Sequence, residues 1–404
     1  MDLRDYWYCS GFIALVLVAC GDAQSPDATV MVRDSVGVTI VESSEVFETR
    51  SLGWRISERP NLTIGSAGGD DQYQLFRVGG AVQLPDSRLA VVNAGTQEIR
   101  FFDAEGRYLK TSGARGAGPG EFQMPQLVRP ISDAGELLIW DMMNNRFTTL
   151  DPDGELVRTI RPEAVVRTPQ GWDGVGTALS MRSGAAAGID TPDGVMANDF
   201  TYEAVPLDGG EMVLIAELPA RIYHASIGGQ PWFRRIPLDP QPAAATGHGL
   251  FYLTTGATAE IHAYASNGEL TRVVRVARDP EPIRRGAFNA LVDSEVAAIT
   301  DTDLRREWTA HYARMPAPES VPVYQGLLVD DLGYLWAEHF RVDTAESPTW
   351  SVFDPEGAAL GTIQTPEGLV IFQIGEDFLI GRMTDELGVE QVAQYSLDRT
   401  ADPN

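Results

Sequence analysis

Five times along this chain an apolar strand runs into an Asp- or Asn-led turn, takes a glycine and resumes as a second apolar strand. The copies are Phe101-Phe102-Asp103-Ala104-Glu105-Gly106, Thr149-Leu150-Asp151-Pro152-Asp153-Gly154, Val205-Pro206-Leu207-Asp208-Gly209, Ala265-Ser266-Asn267-Gly268 and Val352-Phe353-Asp354-Pro355-Glu356-Gly357. Each reads as a hairpin, because glycine adopts the positive φ that a tight turn between strands demands. A sixth copy, Gln394-Tyr395-Ser396-Leu397-Asp398, lacks the glycine. Successive glycines are 48, 55, 59 and 89 residues apart. A sustained period of about 40–50 residues, with four strands per unit, belongs to propeller blades rather than to a sandwich. The expected fold is all-β: a six-bladed β-propeller of four-stranded blades.

The spacing of 89 leaves room for a helical hairpin. Phe288, Leu291, Val292, Val296 and Ile299 follow helical spacing; after the cap signal Thr300-Asp301-Thr302, so do Leu304, Trp308, His311, Tyr312 and Met315. Pro316 and Pro318 end the pattern. This places a helical insertion at about 281–316, between blades four and five. Its outer faces carry Arg284, Arg285, Arg305, Arg306 and Arg314. Two readings stay open: a basic lid over the funnel, or arginines that meet acidic neighbours on the ring. No room remains for a strand after Asp398, so Val36 to Val41 is expected to complete the last blade and remove its exposed edge. The propeller then spans 36–404.

The first twenty residues differ from the rest. From Tyr6 to Ala19 the chain is uncharged for 14 residues, short of the ~20 that span a bilayer as a helix. It reads as the apolar part of a secretory signal or, less simply, as a core helix. Leu17-Val18-Ala19-Cys20 resembles the bacterial lipobox. The resemblance implies a signal peptide at 1–19, diacylation of Cys20, a tether at 20–35 and a periplasmic, lipid-anchored protein of the cell envelope. Gly21 after the cysteine points to the outer membrane. Two acyl chains are what stable anchoring requires. The chain has two cysteines, and only Cys20 would survive cleavage, so disulfide, zinc and redox chemistry are not expected.

Gly118-Pro119-Gly120-Glu121-Phe122, then Pro125, a strand, and Leu138-Ile139-Trp140-Asp141-Met142-Met143-Asn144-Asn145-Arg146 resemble the NHL repeat. With the lipobox, the whole chain is similar to uncharacterised six-bladed propeller lipoproteins of environmental bacteria. That resemblance implies a fold and no reaction, since propellers host many functions.

Charge narrows the partners. Fifty-seven acidic against 31 basic side chains give a formal charge of −26, which argues against nucleic acid and against anionic lipid bound through a basic patch. Membrane contact is expected through the lipid anchor only. In each blade alternate turns fall on opposite faces, and propeller sites gather on the face bearing the turns between strands two and three, here called the top. Counting along each second strand brings Asn93, Asp141, Thr255, His339 and Gly381 beside Arg382 to that face. Asn and Asp cap turns routinely, and Asp141 can pair with Arg146 across its turn. His339, flanked by Glu338 and Arg341, replaces a turn former and can bind metal or move protons. The candidate ligand-binding residues are Asn93, Asp141, Arg146, His339, Arg341 and Arg382, with no catalytic residue and no metal site assigned. Two functions follow. One is a binding module for an unknown small molecule or envelope protein. The alternative is a funnel enzyme, similar to propeller lyases or lactonase-like hydrolases, for which oxygen ligands would favour calcium or magnesium. The cofactor, if any, is unknown from sequence.

Overall fold

The computed structural model describes residues 29–132, 134–162, 166, 168–184, 191–342 and 346–400. The signal expected at 1–19 and Cys20 lie outside the described residues. Strands such as Leu89–Asn93 and Leu137–Asp141 are buried at every position rather than at alternate ones. A strand of that kind has apolar neighbours on both faces, and the sheet order supplies them.

Sheet one is the meander Val78–Gln83, Leu89–Asn93, Glu98–Phe102, Tyr108–Ser112. Sheet two is Pro125–Pro130, Leu137–Asp141, Arg146–Leu150, Leu156–Ile160. Sheet three is Thr168–Trp172, Thr177–Ser183, Phe200–Pro206, Val213–Leu218. Sheet four contains Ala243–Gly247, Leu250–Thr254, Glu260–Ala265 and Leu270–Ala277. Sheet five is Tyr324–Val329, Leu335–His339, Thr349–Phe353, Ala359–Gln364. Sheet six contains Val370–Ile374, Phe378–Thr384 and Glu390–Asp398.

Each sheet packs on the next, and sheet six packs on sheet one. Val92, Phe101 and Ile139 join one to two; Trp140, Phe147 and Val205 join two to three; Leu179, Tyr202 and Phe251 join three to four. Tyr252, Ile261 and Phe353 join four to five, Trp336, Trp350 and Leu379 join five to six, and Ile380, Val392 and Leu89 join six to one. Each such side chain contributes about 1.5–3 kcal/mol by leaving water. The first strands neighbour one another from sheet six through sheets one, two, three and four to sheet five, and so surround an axis. This is a β-propeller architecture.

The Asp–Gly turns join third to fourth strands, as expected. At Gly357 φ is +96°, and a Cβ there would lie 2.7 Å from Val274 Cγ2 of sheet four, so the turn also sets how closely the sheets approach.

The amino-terminal segment departs from expectation. β1 (Val30–Ser35) and β2 (Val38–Ser44) form a hairpin, so residues 30–35 are strand where a tether was expected. β2 does not enter the last sheet. It lies parallel to Leu270–Ala277 on the outer edge of sheet four, with Thr39 beside Arg272 and Ser44 beside Ala277. Its inward side chains explain the choice: Val41 is buried, and Ser43 Oγ accepts the Ala359 amide at 3.0 Å. A single 3-10 turn, Glu45–Glu48, follows, and Leu52 donates its amide to Thr362 of sheet five. β3 (Arg55–Ile56) and β4 (Leu62–Ile64) then pair with Glu390–Asp398 and complete sheet six, where Ile64 is buried. The segment is thus a belt running outside sheets four, five and six.

A small sheet of Gly194–Ala197, Arg221–Ile227 and Gln230–Arg234 arises from the second turn of sheet three and from its connection to sheet four. α1 (Arg285–Ala297) and α2 (Thr302–Tyr312) pack on it, with Trp308, Tyr312, Met315 and Ile299 against Tyr223, Ala225 and Ile227. Asp301 caps α2 by accepting the Leu304 amide at 2.8 Å. The two amides of Ile283 and Val321, bonded to Glu319 and Glu281, close the neck of the hairpin.

Candidate functional site at the funnel rim

Strand direction fixes the faces. First strands descend from the top, second strands return to it, and the turns after them therefore lie on top with the connections between sheets. The small sheet and the helices both grow from such connections, so the cap they form belongs to the top face.

The sequence-selected residues reach that face but do not converge. Asn93 is fully buried; its Oδ1 accepts the Phe76 amide at 2.7 Å. Asp141, also fully buried, accepts from the amides of Gln123 and Met124 and from Asn144 Nδ2 at 2.6 Å. Arg146 lies 3.6 Å from Asp141 and donates to the carbonyls of Ala117, Gly118 and Glu121. The glycine-rich stretch, Asp141 and Arg146 therefore form one scaffold that holds the connector between sheets one and two. Thr255 Oγ1 accepts the amide of Ala257 in its own turn.

His339 does something other than cap. Its Nε2 lies 2.6 Å from Ser351 Oγ and 3.1 Å from Glu48 Oε2, the carboxylate brought by the belt. Tyr324 and Ser351 donate to Glu48 Oε1 at 3.1 and 2.8 Å, and Arg278 Nη1 to Oε2 at 2.8 Å. Burial opposes the charge on Glu48, but the hydrogen bonds and charges of His339, Ser351 and Arg278 hold its pKa below the usual carboxylate value. Serine, histidine and an acid meet here without forming a nucleophile. A catalytic serine needs the imidazole nitrogen opposite the one the acid holds; here both groups share Nε2, and Ser351 is buried. The cluster pins the belt between sheets four and five.

Closer to the axis, exposed Gln325 donates to Glu338 at 2.8 Å, and Arg341 Nη2 to the same oxygen at 3.1 Å. Arg382 meets Glu390 at 3.2 Å, while the other Glu390 oxygen accepts the amide of Val78 in sheet one. Beside Val78, the guanidinium of exposed Arg77 stands 5.4 Å over the exposed ring of Phe76. Glu48, Gln325, Glu390 and Arg77 carry no motif and were not selected from sequence. Where the cap joins the ring, Arg221, Pro240 and residues 316–320 line an open cavity of about 420 Å³, a volume in the range of small-molecule sites. The Arg221 guanidinium pairs there with Asp239.

The opposite end of the axis is narrowed by polar contacts across it. Arg129 Nη2 of sheet two donates to the Val329 carbonyl of sheet five at 2.7 Å, and Gln373 Nε2 of sheet six to Asp331 at 2.7 Å. Burial lowers the Arg129 pKa and raises that of Asp331, the mutual attraction of the pair offsetting part of each shift. Among the described residues no three His, Cys, Asp or Glu side chains gather as metal ligands. No helix among them is long and apolar enough to cross a membrane.

No protein-family model matches the chain, and no curated protein does. Among solved structures, the chain is similar to a protein from Bacteroides fragilis assigned as exported (10% identity, 89% of this chain and 99% of that one, TM-score 0.46). It is also similar to a member of the DUF4221 family from Bacteroides vulgatus (11% identity, 85% and 98%, TM-score 0.46). A third likeness is to a gluconolactonase from Xanthomonas campestris (13% identity, 95% and 94%, TM-score 0.39).

Proposed function

We propose that this chain is a six-bladed propeller lipoprotein of the cell envelope, anchored through Cys20, which binds a ligand or protein partner on its top face. The helical insertion lies between blades four and five and belongs to that binding face. One observation carries the reading: the cap, the 420 Å³ cavity and the rim pairs Glu338–Arg341 and Glu390–Arg382 all lie on one face. Charged pairs at a rim, partly buried and alternating in sign, suit recognition of a polar partner more than proton transfer. The cyclic packing of the six meanders supports the blade count, and the lipobox supports the anchor.

Photo-crosslinking in whole cells tests it. A benzophenone side chain in place of Arg341 or Arg382 should give adducts, and one in place of Val175 on the opposite face should give none. Adducts from 175 alone, or equally from both faces, would overturn the assignment.

A further inference from the structure

β1 ends the sheet that the belt builds onto sheet four, and among the described residues it pairs with β2 alone. Val36 and Gly37, at φ +56° and +83°, make a two-residue turn, so Ser35 and Val38 form a hydrogen-bonded pair. Such pairs alternate along an antiparallel ladder, which puts Arg33 and Met31 in the same class and the Thr29 carbonyl on the Ser44 amide. The backbone N–H and C=O groups of Val30, Val32 and Asp34 therefore point away from β2, where no described residue bonds them.

This edge differs from the others. Fourth strands also end sheets one, two and three, but each joins its third strand through a register shift, and bulges of that kind protect an edge from pairing. The six pairs of β1 with β2, and the six of β2 with Leu270–Ala277, run without one.

Charge states what the next strand carries. On one face Glu260, Arg275, Glu42 and Arg33 form a row that alternates in sign. Arg275 lies 2.6 Å from Glu260 and 3.6 Å from Glu42, and Arg33 lies 3.9 Å from the same Glu42 oxygen. The row stops at the open edge on Arg33, whose side chain is 55% exposed, so an anion continues it. On the other face Val32, 43% exposed, stands opposite buried Val41, and an apolar side chain continues that row. A second copy paired about Arg33 would set two guanidiniums opposite each other, and like charges so placed are destabilising.

We propose that β1 accepts an extended segment of another protein as a further strand, one in which acidic and apolar residues alternate. The backbone groups of Val30, Val32 and Asp34 hold it, an acidic residue meets Arg33, and an apolar one lies beside Val32. The surface is the outer edge of sheet four, and it stands apart from the reading of the rim.

The test uses the full-length protein in detergent and a labelled heptapeptide, Thr-Val-Glu-Val-Glu-Val-Thr, beside its counterpart with lysine for glutamate. Fluorescence anisotropy should show the glutamate peptide binding at least about fivefold more tightly. Non-specific attraction to a chain of charge −26 would favour the lysine peptide instead. Val32→Pro removes the central outward N–H and spares the bonds to β2, so it should weaken binding at least about tenfold with the melting temperature unchanged. Arg33→Glu should reverse the order of the two peptides, which decides the matter even if the proline variant folds poorly. Binding of neither peptide, tighter binding of the lysine peptide to wild type, or an order unchanged by Arg33→Glu overturns the proposal. So does a wild-type dimer in light scattering that Val32→Pro converts to monomer, since the edge then serves a second copy.

Discussion

Arg399, directly after the last strand, is the perturbation with the largest calculable effect. Its Nη2 lies 2.8 Å from Asp330 Oδ2 and 2.9 Å from the Gly375 carbonyl, and its Nε donates to Glu376 at 2.9 Å. The guanidinium stacks 4.3 Å over Trp54 of the belt and 5.1 Å from the Tyr334 ring. Asp330 is fully buried. Arg399→Ala would leave that carboxylate without its salt-bridge partner, which costs about 3–5 kcal/mol for a buried pair. Asp330 keeps the amides of Leu332 and Tyr334 and the indole of Trp336, which favours the lower end; the lost ring contacts add about 1 kcal/mol. At ~2.1 cal/mol/K per residue over roughly 360 described residues, a loss of about 4 kcal/mol lowers the melting temperature by about 5 °C. Differential scanning calorimetry at a fixed scan rate reads this directly. Arg399→Lys should recover less than half, because it keeps the charge but neither the fork nor the stacking. Combining Arg399→Ala with Asp330→Asn should be less harmful than the sum of the singles. A shift under about 1 °C for Arg399→Ala, or additive singles, would refute the joint.

Glu48 ties the belt to pH. Its folded pKa is lowered, so its contribution is present above the ordinary carboxylate value of 4.5 and is lost as pH falls through the folded one; melting temperatures of Glu48→Gln should fall less steeply than those of wild type below pH 4.5. Ile64→Ala, in the strand that completes sheet six, should cost about 2–4 kcal/mol by urea titration. Deleting 30–37, which removes the outermost strand β1, should cost less than Ile64→Ala; the reverse order would show that closure depends on the hairpin. Cys20→Ala should move the protein from the membrane to the soluble fraction, and unchanged fractionation would remove the lipid anchor.

Much of the ring was legible because its turns are chemically conspicuous. Asp103, Asp151 and Asp354 each accept the amide four residues on, across a glycine in the left-handed region, and that geometry selects Asp and Gly in sequence. The helices were legible from spacing and from the Asp301 cap. The belt was not, because β3 and β4 have two and three residues, too few to show alternation, and the longer β2 looked like the better closing strand. His339 was singled out for the right oddity, yet its partner Glu48 lies 291 residues earlier and no local pattern connects them. Asn93 and Asp141 illustrate the converse: residue type and position were read, and their hydrogen bonds go to backbone amides.

The belt also sets an order of events. Residues 55–64 are synthesised before any blade, but their partners are residues 390–398. Closing a loop of about 330 residues costs roughly 1.8 kcal/mol more chain entropy than closing one of about 45, and long-range pairing of this kind is slow. Five sheets can form in sequence while the sixth waits for residues 390–398 to meet residues 55–64. A product that stops before residue 390 leaves β3 and β4 without their pairing strand, and that open edge marks it for proteolysis. Joining residues 55–64 to residues 390–398 thus acts as a proofreading step: only a chain translated past residue 398 covers the edge made before its first blade.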